Sequence, residues 1–244
     1  METRNVEIWA LRTLRSGFLY LLVGIIMFVI AAATGYLFIV YLFDALIKPA
    51  GIIYATYALI VFGLLMLVSY VISLYAIFGK IRPGIRQLSQ IDGGFRICYT
   101  GTTFLIVGLL IWVSGLVVAA IIGAVEERSA IAALGGSTLA FDVMTIGGII
   151  SLIGSMLTYV LGAFKLHNRY QNSLYMAAGI LFVIDIGILF VIDILLTFLG
   201  LGGVLTAFVG LDRILAAVGC VLMYMALGDT INKLSTATTT QAQA

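Results

Sequence analysis

Long apolar runs, broken by short stretches of charge, proline or glycine, set the layout of this chain. Six runs stand out, at about 17–43, 52–78, 102–124, 141–164, 172–199 and 204–227. A helix rising about 1.5 Å per residue needs roughly 20 residues to cross a hydrocarbon core, and the longer runs must tilt or protrude. No run alternates polar and apolar positions as a barrel strand would, and none contains a proline. Backbone groups in lipid must pair within their own segment, so the pattern predicts helices. The expected fold class is an all-α membrane protein with six transmembrane helices.

The breaks carry turn chemistry. Lys48-Pro49-Ala50-Gly51 separates the first two spans, and Lys80-Ile81-Arg82-Pro83-Gly84 is expected to end the second. Glu126-Glu127-Arg128 closes the third span and Gly200-Leu201-Gly202-Gly203 the fifth. Residues 1–16 read as an interfacial segment, with Val6, Trp9 and Leu11 or Leu14 on one face and Trp9 at headgroup level. Residues 231–244 end in Ser235–Ala244, polar and low in complexity, which predicts a disordered tail. Arg12 and Arg15 ahead of an apolar run, with Ala31-Ala32-Ala33 behind, resemble a secretory signal. The run continues to Ile47, so an uncleaved first helix is expected.

A repeat is visible across the membrane domain, 17–230. Arg12, Gly17, Tyr20 and Gly24 keep the spacing of Arg96, Gly101, Phe104 and Gly108, and His167, Asn172, Tyr175 and Gly179 keep it again. Tyr75 and Gly79, Tyr159 and Ala163, and Tyr224 and Gly228 each fall four apart near the ends of the even spans. The spacing suggests three consecutive hairpins of parallel topology, at about 17–79, 96–165 and 167–230. Any helix that starts at a headgroup layer tends to acquire cations, aromatics and small residues, so chance similarity is the competing explanation.

Composition agrees with the pattern. Of 244 residues 63% are hydrophobic and 10% charged, and the mean hydropathy is +1.20. A soluble domain carries about 25% charge, so the class is a polytopic membrane protein. The net charge of +2 is too small to imply a nucleic-acid partner. Its placement matters more. Arg4, Arg12, Arg15, Lys80, Arg82, Arg86, Arg96, Lys165, Arg169 and Lys233 fall on one side of the threading, against Lys48, Arg128 and Arg213. The bias puts both termini in the cytoplasm of a cell-membrane protein.

Candidate chemistry is sparse. The phrase Leu-Phe-Val-Ile-Asp-Ile occurs at Leu181–Ile186 and again at Leu189–Ile194, placing Asp185 and Asp193 inside an apolar helix. Asp185 lies about 18 Å into its span, Asp193 about two turns further on, and Arg213 at overlapping depth in the last span. Either Arg213 pairs with an acid and sets the hairpin register, which is the preferred assignment, or Asp185 binds a proton or cation in a small transporter or channel. Asp44, Asp142 and Asp212 fall near span ends and read as solvated.

Cys98 and Cys220 read as buried thiols without a metal or disulfide partner. His167, the single histidine, sits beside Lys165 and Arg169 as a surface or headgroup contact. One histidine excludes bis-histidine haem ligation and His-Glu-x-x-His zinc. No phosphate loop, dinucleotide fingerprint or Gly-x-Ser-x-Gly elbow is present. No catalytic residue, cofactor or metal is expected. The expected role is a non-enzymatic accessory or structural component, packed with itself or with a larger membrane complex.

Three hairpins invite comparison with the mitochondrial carriers, but their Pro-x-Asp/Glu-x-x-Lys/Arg signature is missing. Leu11-Arg12-Thr13-Leu14-Arg15-Ser16-Gly17-Phe18-Leu19-Tyr20, followed by an unbroken apolar helix, resembles uncharacterised six-helix membrane proteins of thermoacidophilic archaea. That resemblance implies a layout and brings no activity or site residues.

Overall fold

The computed structural model describes residues 2–45, 48, 50–125, 130–188 and 205–242, and their regular structure is entirely helical. Helix α1 spans Glu2–Ala45. Helix α2, Ala50–Tyr75, passes through a π-helical segment, Ala76–Ile81, into α3, Arg82–Ile91. A 3₁₀ turn, Gly93–Phe95, leads to α4, Arg96–Val125. Helix α5, Ala130–Ser155, passes through a second π segment, Met156–Val160, into α6, Leu161–Tyr170. Helix α7, Ser173–Val183, runs into a third, Ile184–Ile188, and α8 spans Leu205–Ala242.

Among the described residues five stretches are long and apolar enough to cross a membrane: Thr3–Asp44, Gly51–Ile91, Gly93–Gly115, Asp142–Tyr170 and Arg213–Thr236. A shorter apolar helix covers Ser173–Gly187. The remainder of that predicted span, with Asp193, lies outside the described residues, as do Glu126-Glu127-Arg128 and Gly200–Gly203. The outer faces are what lipid demands. Tyr36, Phe43, Tyr57 and Leu67 are among many large apolar side chains left exposed, whereas water would drive such a surface inward.

The helices pack in sequential pairs, α1 along α2, α4 along α5 and α7 along α8, while α1 also lies against α8. Small residues make these approaches close. The Ser69 hydroxyl of α2 donates to the Gly24 carbonyl of α1 at 2.8 Å, where a Cβ on Gly24 would strike Ser73. On α4 a Cβ at Gly108 would meet the α5 backbone at Gly147 and Ser151, and Gly154 sits equally close to Leu105. Van der Waals contact at such separations holds helices together where lipid removes the hydrophobic drive.

Four expectations differ from the structure. Residues 2–16 form no separate segment but are continuous with the first span. In them Ala10, Leu11 and Leu14 face the core while Val6 and Trp9 point outward, so these positions do not share one face. Lys80–Gly84 does not end a helix. Pro83 lies at the start of α3, directly after a widened π turn, which eases the clash a proline ring makes with the carbonyl four residues back. The tail expected to be disordered is helical as far as Ala242 in continuation of α8. Arg4 reaches it with a hydrogen bond from Nη2 to the Leu234 carbonyl at 2.6 Å, a tie that composition alone does not disclose.

Candidate functional site

Asp185 sits in the π segment that follows α7, half-buried, and the segment packs against α8. A Cβ on Gly187 would lie 3.5 Å from the Met156 methyl, so two of the three π segments are neighbours. Beside them Tyr159 and Phe182 meet at 5.7 Å between ring centroids, and Phe18 of α1 closes the group at 6.2 and 6.4 Å. Arg213, at the start of the last membrane stretch, holds its guanidinium 4.7 Å above the Phe28 ring of α1. A cation facing an aromatic ring in low dielectric gains electrostatic stabilisation.

Toward the opposite end of the core, a void lined by Leu14, Phe18, Ile81, Phe95 and Thr158 amounts to about 10 Å³. That is room for at most one water. The Thr158 hydroxyl faces it with no hydrogen-bond partner among the described residues.

The densest polar constellation is elsewhere and joins distant parts of the chain. Arg169, in the last turn of α6, donates from Nε and Nη2 to Glu7 Oε1 of α1 at 3.0 and 2.8 Å. Its Nη1 donates to Asp92 Oδ2, in the joint between α3 and α4, at 3.0 Å. The Tyr170 hydroxyl adds a third hydrogen bond to Glu7 Oε1 at 2.6 Å. Asp92 Oδ1 meanwhile accepts from the Gly94 amide at 2.8 Å and caps the 3₁₀ turn. This bond, with the Arg169 charge, holds the Asp92 carboxyl below its ordinary value. The Arg169 guanidinium is thus held between two carboxylates from separate parts of the chain.

A second set lies next to the first. Gln171 ends α6 in the left-handed conformation, φ 51° and ψ 37°. Asn172 then caps α7, its Oδ1 accepting from the Leu174 amide at 3.0 Å. Its Nδ2 donates to Asp229 of α8 at 3.0 Å, and Asp229 pairs with Lys233 at 3.0 Å. His167 donates from Nδ1 to the Asn172 carbonyl at 2.9 Å, which assigns the proton of the neutral ring to that nitrogen. Below them the Tyr175 hydroxyl donates to Thr230 Oγ1 at 2.9 Å, because the Thr230 proton is used on the Ala226 carbonyl.

Of the residues expected to form a site, Asp185 lies in the π segment that packs against α8, Arg213 lies against α1, and Asp193 falls outside the described residues. Asp44 is a solvated helix-end residue, 3.7 Å from Lys48. Cys98 and Cys220 are free and buried. Glu7, Asp92 and Tyr170 were not anticipated. Their sequence signature is polarity alone, Glu7 within the first helix and Asp92 and Tyr170 at joints, which names no partner.

No curated protein and no solved structure matches the chain. A family model matches residues 7–244, nearly the whole of the helical framework just described, and by it the chain belongs to the family described as protein of unknown function, DUF973.

Proposed function

We propose that this chain is a non-enzymatic, multi-pass component of the cell membrane, with structural or accessory duty and both termini in the cytoplasm. The observation that carries this is the Arg169 knot. Three Arg169 nitrogens and the Tyr170 hydroxyl are spent on Glu7 and Asp92, tying α1, the α3–α4 joint and the α6–α7 joint at the basic end of the bundle. A network satisfied within itself specifies geometry; a catalytic or transport group needs capacity left for a substrate. Three hairpins about an axis along the membrane normal would place these joints side by side. The glycine contacts of Gly17 and Gly24 with the second helical stretch, and of Gly101 and Gly108 with the fourth, support that arrangement. The predicted partner is another copy of this chain or a larger membrane complex. Gentle detergent extraction followed by mass determination tests it, and a lone monomer overturns it.

One feature favours a second role. Asp185 occupies a π turn, a departure from regular helix frequent at functional sites, in an apolar stretch where a carboxylate is costly. In a proton or cation carrier Asp185, with Asp193 and Arg213, would supply the charge site. Asp185→Asn in proteoliposomes then abolishes a flux seen with the unaltered protein. Absence of any flux, or flux unchanged by the substitution, removes the transport role.

A further inference from the structure

Two clefts at the basic end resemble each other and are not used by the Arg169 knot. The first, about 520 Å³, opens between α3 and α4 and is lined by Arg82, Arg86, Gln87, Gln90 and Tyr99. The second, about 360 Å³, opens between α1 and α8 and is lined by Arg12, Arg15, Ser16, Tyr224 and Asn232. Each holds a pair of arginines about one helical turn apart, a tyrosine from the facing helix and neutral hydrogen-bond donors. Each sets one guanidinium over its tyrosine, Arg82 at 5.5 Å from the Tyr99 centroid and Arg15 at 4.2 Å from Tyr224.

No acidic side chain lines either cleft, and among the described residues none of the four arginines is in an ion pair. The α6–α7 joint is the contrast. There Glu7 and Asp92 occupy the guanidinium of Arg169, and its charge is consumed internally.

We infer that the α3–α4 and α1–α8 clefts bind phosphate-bearing anions, and that the headgroups of anionic membrane lipids are their source. A guanidinium presents a planar fork of donors that fits phosphate oxygens in pairs. Stacking on tyrosine holds one fork in place before the ligand arrives. The volumes lie in the range of small-molecule sites. Position selects the lipid: both clefts lie where an apolar span meets a run of basic residues, the depth of the headgroup layer, and basic pockets between membrane helices suit anionic headgroups.

The test uses the full chain in nanodiscs of phosphatidylglycerol or of phosphatidylcholine, with retained lipid counted by native mass spectrometry after gentle extraction. Phosphatidylglycerol is retained and phosphatidylcholine is not. Arg86→Gln and Arg12→Gln, at exposed positions, each weaken retention about fivefold. Arg86→Lys and Arg12→Lys recover part of it, and Lys48→Gln, at an exposed ion pair elsewhere, leaves it unchanged. Equal retention of the two lipids, glutamine variants that bind like the parent, or an equal loss in Lys48→Gln overturns the assignment. Millimolar inorganic phosphate leaves the bound phosphatidylglycerol in place if lipid is the source. If phosphate binds the lipid-free protein and displaces the lipid, a soluble phosphate is the ligand and the lipid assignment falls.

Discussion

Arg169 does most at the scale of single residues, because three of its N–H donors reach two carboxylates that the chain places 85 positions apart, at 7 and 92. Arg169→Ala leaves Glu7, whose side chain is only 13% exposed, facing Tyr170 alone. Loss of a charge-assisted pair at a partly buried site costs about 2 kcal/mol, read as a lower midpoint in thermal unfolding of the detergent-solubilised protein. Lys48→Ala, which breaks an exposed pair at 3.7 Å, shifts the same midpoint by less than about 0.5 kcal/mol equivalent. The knot also predicts a pH response. The Asp92 carboxyl is held below the usual carboxylate range, chiefly by the Gly94 amide and then by Arg169. A depressed carboxylate stabilises the fold above its unfolded value and ceases to do so as pH falls through the folded one. Unfolding midpoints therefore drop below about pH 4 in the parent, and Asp92→Asn flattens that part of the profile.

At the scale of elements, adjacent glycines of α5 make a sharp comparison. A Cβ on Gly147 would collide with the backbone of α4 at Trp112 and Gly108, while at Gly148 nothing lies within 4 Å. Gly147→Ala is expected to destabilise the α4–α5 pair by about 1–3 kcal/mol. Gly148→Ala is expected to stabilise by up to about 1 kcal/mol through helix propensity, and unfolding of the two variants side by side checks both signs. Gln171 offers a gain of another kind. It closes α6 at φ 51° without being glycine, so Gln171→Gly is expected to raise stability by a few tenths of a kcal/mol, net of the lost bond from Gln171 Nε2 to the Asn168 carbonyl at 2.8 Å.

These elements also show where the chain is legible. The spans were, because a run of about 20 apolar residues has few other fates. The π turn ahead of Pro83 was not, since Lys80–Gly84 carries the usual marks of a helix end and only packing against α1 and α4 keeps the helix going. The end of α6 was hidden for the opposite reason: no glycine or proline announces it.

At the scale of the molecule, the threading proposed here is testable by labelling. Cys98 and Cys220 are fully buried, at 0% and 1% exposure, so the native thiols give little background. Thr3→Cys is expected to react with an impermeant maleimide only after the membrane is opened, and Lys48→Cys in intact cells. The reverse pattern, or reaction of both from one side, removes the proposed orientation. By itself the amino-acid order determined the solvent and the architecture of this protein: hydropathy is a sum over neighbours in sequence, and a sum survives ignorance of the fold. Which side chains meet was decided only by tertiary structure. Glu7, Asp92 and Arg169 belong to three separate segments, and no local pattern encodes their encounter. The cleft between α1 and α8 arises in the same way, where helices distant in sequence lie against each other, and its counterpart forms where the 3₁₀ turn folds α4 back on α3.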